Sequence, residues 1–136
     1  RERIADFLRR EVRAKLLGEW MFEKGFNSSG AEGQLVGTGG TAVILARIKA
    51  AREDFDRVAI ESVTLTASEV SGLCDRLWSL SLASRRQIKG LPGNRADVVL
   101  AGALIYSLVM NDFAFRELRV STRGLRFAVV RDEFSS

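Results

Sequence analysis

The chain has 136 residues, 46% of them hydrophobic, with a formal charge of +4, one cysteine and no histidine. That length suits a single domain over 1–136 with a real core, and the basic surplus favours an anionic partner without naming it. Lack of histidine excludes histidine-based triads, general bases and metal ligands, and a lone cysteine excludes an internal disulfide, which fits a reducing, cytoplasmic setting.

The chain opens on Arg1 inside what already reads as a helix, so a piece of a longer protein is expected. Ile4, Phe7, Leu8, Val12, Leu16 and Trp20 recur on one helical face, with Arg3, Arg9, Arg10, Arg13 and Lys15 elsewhere. This predicts an amphipathic helix whose basic side is solvated. Residues 25–33 lack periodicity and predict a loop feeding a short strand at 34–36.

That strand enters Gly37-Thr38-Gly39-Gly40-Thr41 and leaves as an apolar helix running to about Arg52. A helix that starts directly after glycines offers unpaired first-turn N–H groups and the positive end of its dipole, which together suit an anion such as phosphate. Gly37 and Gly39 are expected to take positive φ, Gly40 to admit a phosphate oxygen, and Thr38 and Thr41 to add hydroxyls. The plainer alternative is a tight turn with Thr41 capping the helix.

Residues 57–66 are rich in β-branched side chains and predict a strand, and Thr66-Ala67-Ser68-Glu69 fits a capping box that opens another helix. Val70, Leu73, Cys74, Leu77 and Leu80 give that helix its buried face, with Cys74 a core residue rather than a nucleophile. A short helix at 84–88 and a loop at 89–94 precede a helix that is apolar nearly all round, with Asn94 as its expected N-cap. Its apolar run, 98–110, is of buried-helix rather than bilayer-spanning length, so no membrane partner is expected. Residues 117–120 read as a strand, 121–124 as a turn and 125–131 as a terminal helix. Strand, polar turn and helix thus occur twice, which predicts an α/β fold with a few parallel strands and ligands at their carboxyl ends.

Three blocks carry a family resemblance: the 37–41 glycine loop with its helix; Ile88-Lys89-Gly90-Leu91 before Arg95-Ala96-Asp97-Val98-Val99-Leu100-Ala101-Gly102-Ala103; and Glu117-Leu118-Arg119-Val120-Ser121 with Gly124-Leu125-Arg126. In order and spacing they resemble the exopolyphosphatase and guanosine pentaphosphate phosphohydrolase family. The resemblance implies the C-terminal half of an actin-like ATPase fold, built of two ribonuclease-H-like halves with the active site between them. It further implies that Gly37, Thr38, Gly39, Gly40 and Thr41 form a phosphate-binding loop and that Arg95 faces the phosphate chain. No catalytic residue and no metal ligand is assigned within the chain. Magnesium and the water-activating glutamate are expected from the N-terminal half, which becomes a partner alongside polyphosphate or guanosine pentaphosphate. A homodimer is left open, and no specific nucleic acid is expected. Arg95 could instead be a solvated side chain, although a cation in a helix's first turn is mildly unfavourable, and Asp97 reads as ordinary capping. Thr122 and Phe127-Ala128 depart from the family's pattern.

Two further readings stand behind this one. Gly37, Gly39 and Ala42 fit a Rossmann-type dinucleotide fingerprint, with Glu61 as ribose acceptor near the end of a second strand. It ranks second because the strand before the loop is short and the Arg95 block has no place in that motif. The third is a non-catalytic interaction domain.

Overall fold

The computed structural model describes residues 1–15 and 34–124. Leu16, Trp20, the expected loop at 25–33 and the expected helix at 125–131 lie outside the described residues. Helix α1 (Glu2–Lys15) carries the expected periodicity, but Ala5 and Leu8 are what it packs against the core, while Ile4 and Phe7 stay exposed.

Strand β1 (Leu35–Thr38) leads into α2 (Gly40–Lys49), whose Ala42, Ile44, Leu45, Ala46 and Ile48 are all buried. The β-branched stretch after it is not one strand. Asp56 accepts a hydrogen bond from the Ala59 N–H and caps a helical turn, α3 (Arg57–Glu61), so only β2 (Thr64–Thr66) is extended. Helix α4 (Ala67–Ser79) starts in the expected capping box: Thr66 Oγ1 accepts from the Glu69 N–H, and the Glu69 carboxylate accepts from the Thr66 N–H. Lys49 Nζ lies 2.6 Å from that carboxylate and ties the end of α2 to the start of α4.

A short α5 (Leu82–Arg85) is followed by a 3-10 turn at Gly93–Arg95 and then α6 (Val99–Asp112). Asn94 therefore does not cap α6. Asp97 Oδ1 accepts from the Val98 N–H, and the helix begins a residue later. Helices α4 and α6 pack side by side, joined by the Ser71 and Ser107 hydroxyls at 3.0 Å, and Cys74 is fully buried among their apolar residues. Burial pushes the Cys74 thiol above its ordinary pKa, so it is held as a neutral core group.

Strand β3 (Glu117–Ser121) lies at the centre of a sheet ordered β1-β3-β2. β1 runs parallel to β3, as expected, with Thr38 opposite Ser121, but β2 runs antiparallel to it. The sheet is thus mixed rather than wholly parallel. Leu118 and Val120 point into the core with Leu65 of β2, where Leu45 of α2 and Leu104 of α6 complete it. No helix among the described residues is long and apolar enough to cross a membrane.

Candidate phosphate-binding site

β1 ends at Thr38, and the chain turns into α2 through Gly39, which has φ 86° and ψ −177°. This backbone region is essentially closed to residues with a Cβ. Gly39 is the N-cap of α2, no side chain caps that end, and no acidic residue lies in its first turn. Thr41 is inside the first turn and is not a cap. The turn is therefore left electropositive, with its leading amides free of side-chain acceptors.

Gly37 does not take positive φ; among glycines of the described residues only Gly39 and Gly90 do. Its glycine is needed for packing instead. A Cβ there would lie 2.9 Å from Leu118 Cδ1, 2.9 Å from the Tyr106 hydroxyl and 3.0 Å from Ala42 Cβ. At Gly39 and Gly40 the situation reverses, because a Cβ would meet nothing within 4 Å. The loop is packed tightly beneath and open above.

Helix α6 supplies the packing. A Cβ on Gly102 would fall 2.3 Å from Thr41 Oγ1, so that glycine lets α6 approach the first turn of α2, and Tyr106 Oη donates to the Thr38 carbonyl at 3.3 Å. Gly102 falls within the second resemblance block but is given no role there, and Tyr106 sits unmarked inside an apolar run; their four-residue spacing is the signal that joins them, since it puts both on one helix face. Farther along, Gly90 has φ 89° and would place a Cβ 2.5 Å from the Arg47 carbonyl oxygen, which seats residues 88–91 against the end of α2.

Arg95 is exposed on the 3-10 turn just before α6, and its guanidinium has no hydrogen bond or ion pair among the described residues. No hydrogen bond joins it to residues 37–41; the link between them runs through α6. Asp97 does what its position suggested and bonds the next backbone N–H.

Beside the loop lies the turn after β3, brought there by the pairing of Thr38 with Ser121. The Glu61 carboxylate reaches it from α3 and accepts from both the Thr122 N–H, at 2.9 Å, and the Thr122 hydroxyl, at 2.5 Å. The hydroxyl bond and then the backbone bond hold the Glu61 carboxyl below the usual glutamate range, with Arg123 and Arg57 adding to the effect. Next to this turn a groove of about 290 Å³ is lined by Gln34, Val36, Glu61, Arg119, Ser121 and Arg123.

The dinucleotide reading does not survive this geometry. A Rossmann unit needs its second strand parallel and adjacent to the first. Here β3 separates β1 from an antiparallel β2, and Glu61 ends a helical turn with its carboxylate engaged by Thr122. Among the described residues no three or more carboxylates or cysteines come together. What the 37–41 turn presents is an uncapped, acid-free helix start with open space above it.

The Ppx/GppA phosphatase family profile matches residues 2–136. Among solved structures, the chain resembles the type II variant of the Ppx/GppA phosphatase of Aquifex aeolicus with a TM-score of 0.79 and 25% identity, covering 97% of this chain and 40% of that one. It resembles an exopolyphosphatase from Cytophaga hutchinsonii with a TM-score of 0.71 and 24% identity, covering 99% and 43%. Comparison with curated proteins gives no match. The chain spans about 40% of the length of these solved relatives. Its mixed sheet and flanking helices are part of the actin-like ATPase fold that those proteins share. The chain belongs to the Ppx/GppA phosphatase family.

Proposed function

We propose that this chain is the phosphate-chain-binding, C-terminal half of an exopolyphosphatase-type phosphohydrolase that releases terminal phosphate from polyphosphate or guanosine pentaphosphate. The observation that carries this is the uncapped, acid-free first turn of α2 behind Gly39, with open space over Gly39 and Gly40. Membership of a phosphatase family makes phosphate the natural anion for it. In this reading the first-turn amides of α2 bind phosphate oxygens, the Thr38 and Thr41 hydroxyls add donors, and Arg95 contributes charge from the start of α6. Phosphoryl transfer spreads charge over the transferred group, so preorganised donors are what such a wall supplies.

The base that activates water is expected from an N-terminal half, as are the ligands of a magnesium ion, which would neutralise phosphate charge when bound. Glu61, which reaches the turn after β3, is committed to Thr122 and does not fill the role of base. The isolated chain should therefore bind phosphate chains weakly and hydrolyse them negligibly. Phosphate release from long-chain polyphosphate, compared between the full-length protein and residues 1–136 alone, tests this. Robust turnover by the shorter chain would place the base within it and defeat the reading.

A further inference from the structure

We propose that Tyr106 is a positioning residue for the 37–41 loop, acting together with Gly102 as a two-point clamp from α6; this rests on the phosphate-binding reading of that loop. The two residues are four apart on α6 and so share a face. Tyr106 donates its hydroxyl to the Thr38 carbonyl, and Gly102 brings the helix against Thr41. The anchored residues bracket Gly39 and Gly40, which face open space. A second observation places the Tyr106 hydroxyl at the strand-to-turn junction itself, because a Cβ at Gly37 would lie 2.9 Å from it.

The clamp matters because the segment between the anchors is two glycines, and glycine left free populates many backbone conformations. If only some of these present the α2 amides to an anion, the apparent affinity falls by the fraction of time the loop spends outside them. Fixing Thr38 on one side and Thr41 on the other holds Gly39 at φ 86° and keeps the loop in one presentation. The plain alternative is that the half-buried phenol has simply found an acceptor. In that case its loss leaves anion affinity unmoved.

Thr38-Gly39 is the only Thr-Gly pair in these 136 residues, so threonine labelled at its carbonyl carbon and glycine labelled with nitrogen-15 mark this peptide, which in full-length protein is identified by the signal lost in Thr38→Ser. In full-length protein the wild type and Tyr106→Phe are titrated with inorganic pyrophosphate. The expected result is a shifted Thr38 carbonyl carbon in Tyr106→Phe, a Kd for pyrophosphate weakened about two- to tenfold, and a loss of kcat/KM carried by KM. Wild-type binding with equal affinity in Tyr106→Phe would overturn the clamp while leaving the phosphate site standing. No response of the loop amides in the wild type would instead overturn the site itself, and the clamp's purpose with it. A second reading is the H2O/D2O shift of the Thr38 carbonyl compared between the wild type and Tyr106→Phe, so that the isotope effect of the shared Gly39 amide cancels: a difference supports the clamp, and equal shifts overturn it.

Discussion

Substituting Gly40 by valine separates folding from ligand binding, because the site makes opposite demands on the two. Gly40 is the first residue of α2, has no positive φ, and a Cβ there meets nothing within 4 Å. Removing a glycine from the unfolded ensemble stabilises by about 0.4–1 kcal/mol, and valine's lower helix preference relative to alanine returns about 0.5 kcal/mol of that. The net change should lie between zero and about +0.5 kcal/mol, so the urea midpoint hardly moves. Binding should behave differently, since the new side chain occupies the space through which a phosphate oxygen reaches the first-turn amides. Losing one charge-assisted hydrogen bond costs on the order of 1.5–3 kcal/mol, or roughly ten- to a hundredfold in kcat/KM for polyphosphate. Gly39→Ala is the counterpart, where a Cβ meets no neighbour but φ 86° with ψ −177° is closed to alanine, at a cost of about 1–3 kcal/mol in stability. Urea unfolding and phosphate-release kinetics on both variants of full-length protein give the comparison. Wild-type kinetics in a folded Gly40→Val protein would show that no phosphate oxygen passes over Gly40, and a stability loss at Gly40 as large as that at Gly39 would show that its Cβ is not in open space.

Arg95→Ala should change stability by well under about 1 kcal/mol, since the side chain is exposed and unpaired among the described residues, yet lower kcat/KM roughly ten- to a hundredfold, with Arg95→Lys restoring only part. Unchanged kinetics across salt concentrations would remove it from the site. Glu61 has a depressed folded-state pKa, so its contribution to stability is complete above the unfolded value of about 4.3 and is lost as pH falls through the lower folded value. Denaturation followed from pH 7 downward should therefore show a shallower acid loss in Glu61→Gln than in the wild type, and parallel curves would show that the carboxylate does not hold Thr122. Gly90→Ala should destabilise by more than about 2 kcal/mol, because positive φ and a 2.5 Å approach to the Arg47 carbonyl act together. A thermal midpoint equal to wild type would show that residues 88–91 do not pack on α2 as described.

What could be read in the sequence was mostly local. The capping box at Thr66 and Glu69, the buried face of α4 and the glycine turn into α2 each rest on residues within one or two turns of each other, and each appears in the structure. The stretch 57–66 misleads because β-branched composition hides a helical turn capped by Asp56, in which Val58 remains 79% exposed rather than lining a sheet. At the start of α6, Asn94 has the right chemistry for a cap, but the chain spends one more turn in 3-10 geometry and Asp97 makes the bond instead. The antiparallel direction of β2 depends on where α3 and α4 pack, which no local pattern states. The site divides the same way. The freedom required of Gly39 is a property of its own turn, whereas the need for glycine at 37 and 102 comes from Leu118, Tyr106 and Thr41, which are distant in the chain.

A crystal structure of the full-length protein with tripolyphosphate shows whether the first turn of α2 holds a phosphate chain. Phosphate oxygens are expected within hydrogen-bond distance of the Gly40 and Thr41 amides, with the Arg95 guanidinium turned towards the chain. Tripolyphosphate bound in the same crystal with these amides bare, against the groove of Arg119 and Arg123 or elsewhere, would contradict it.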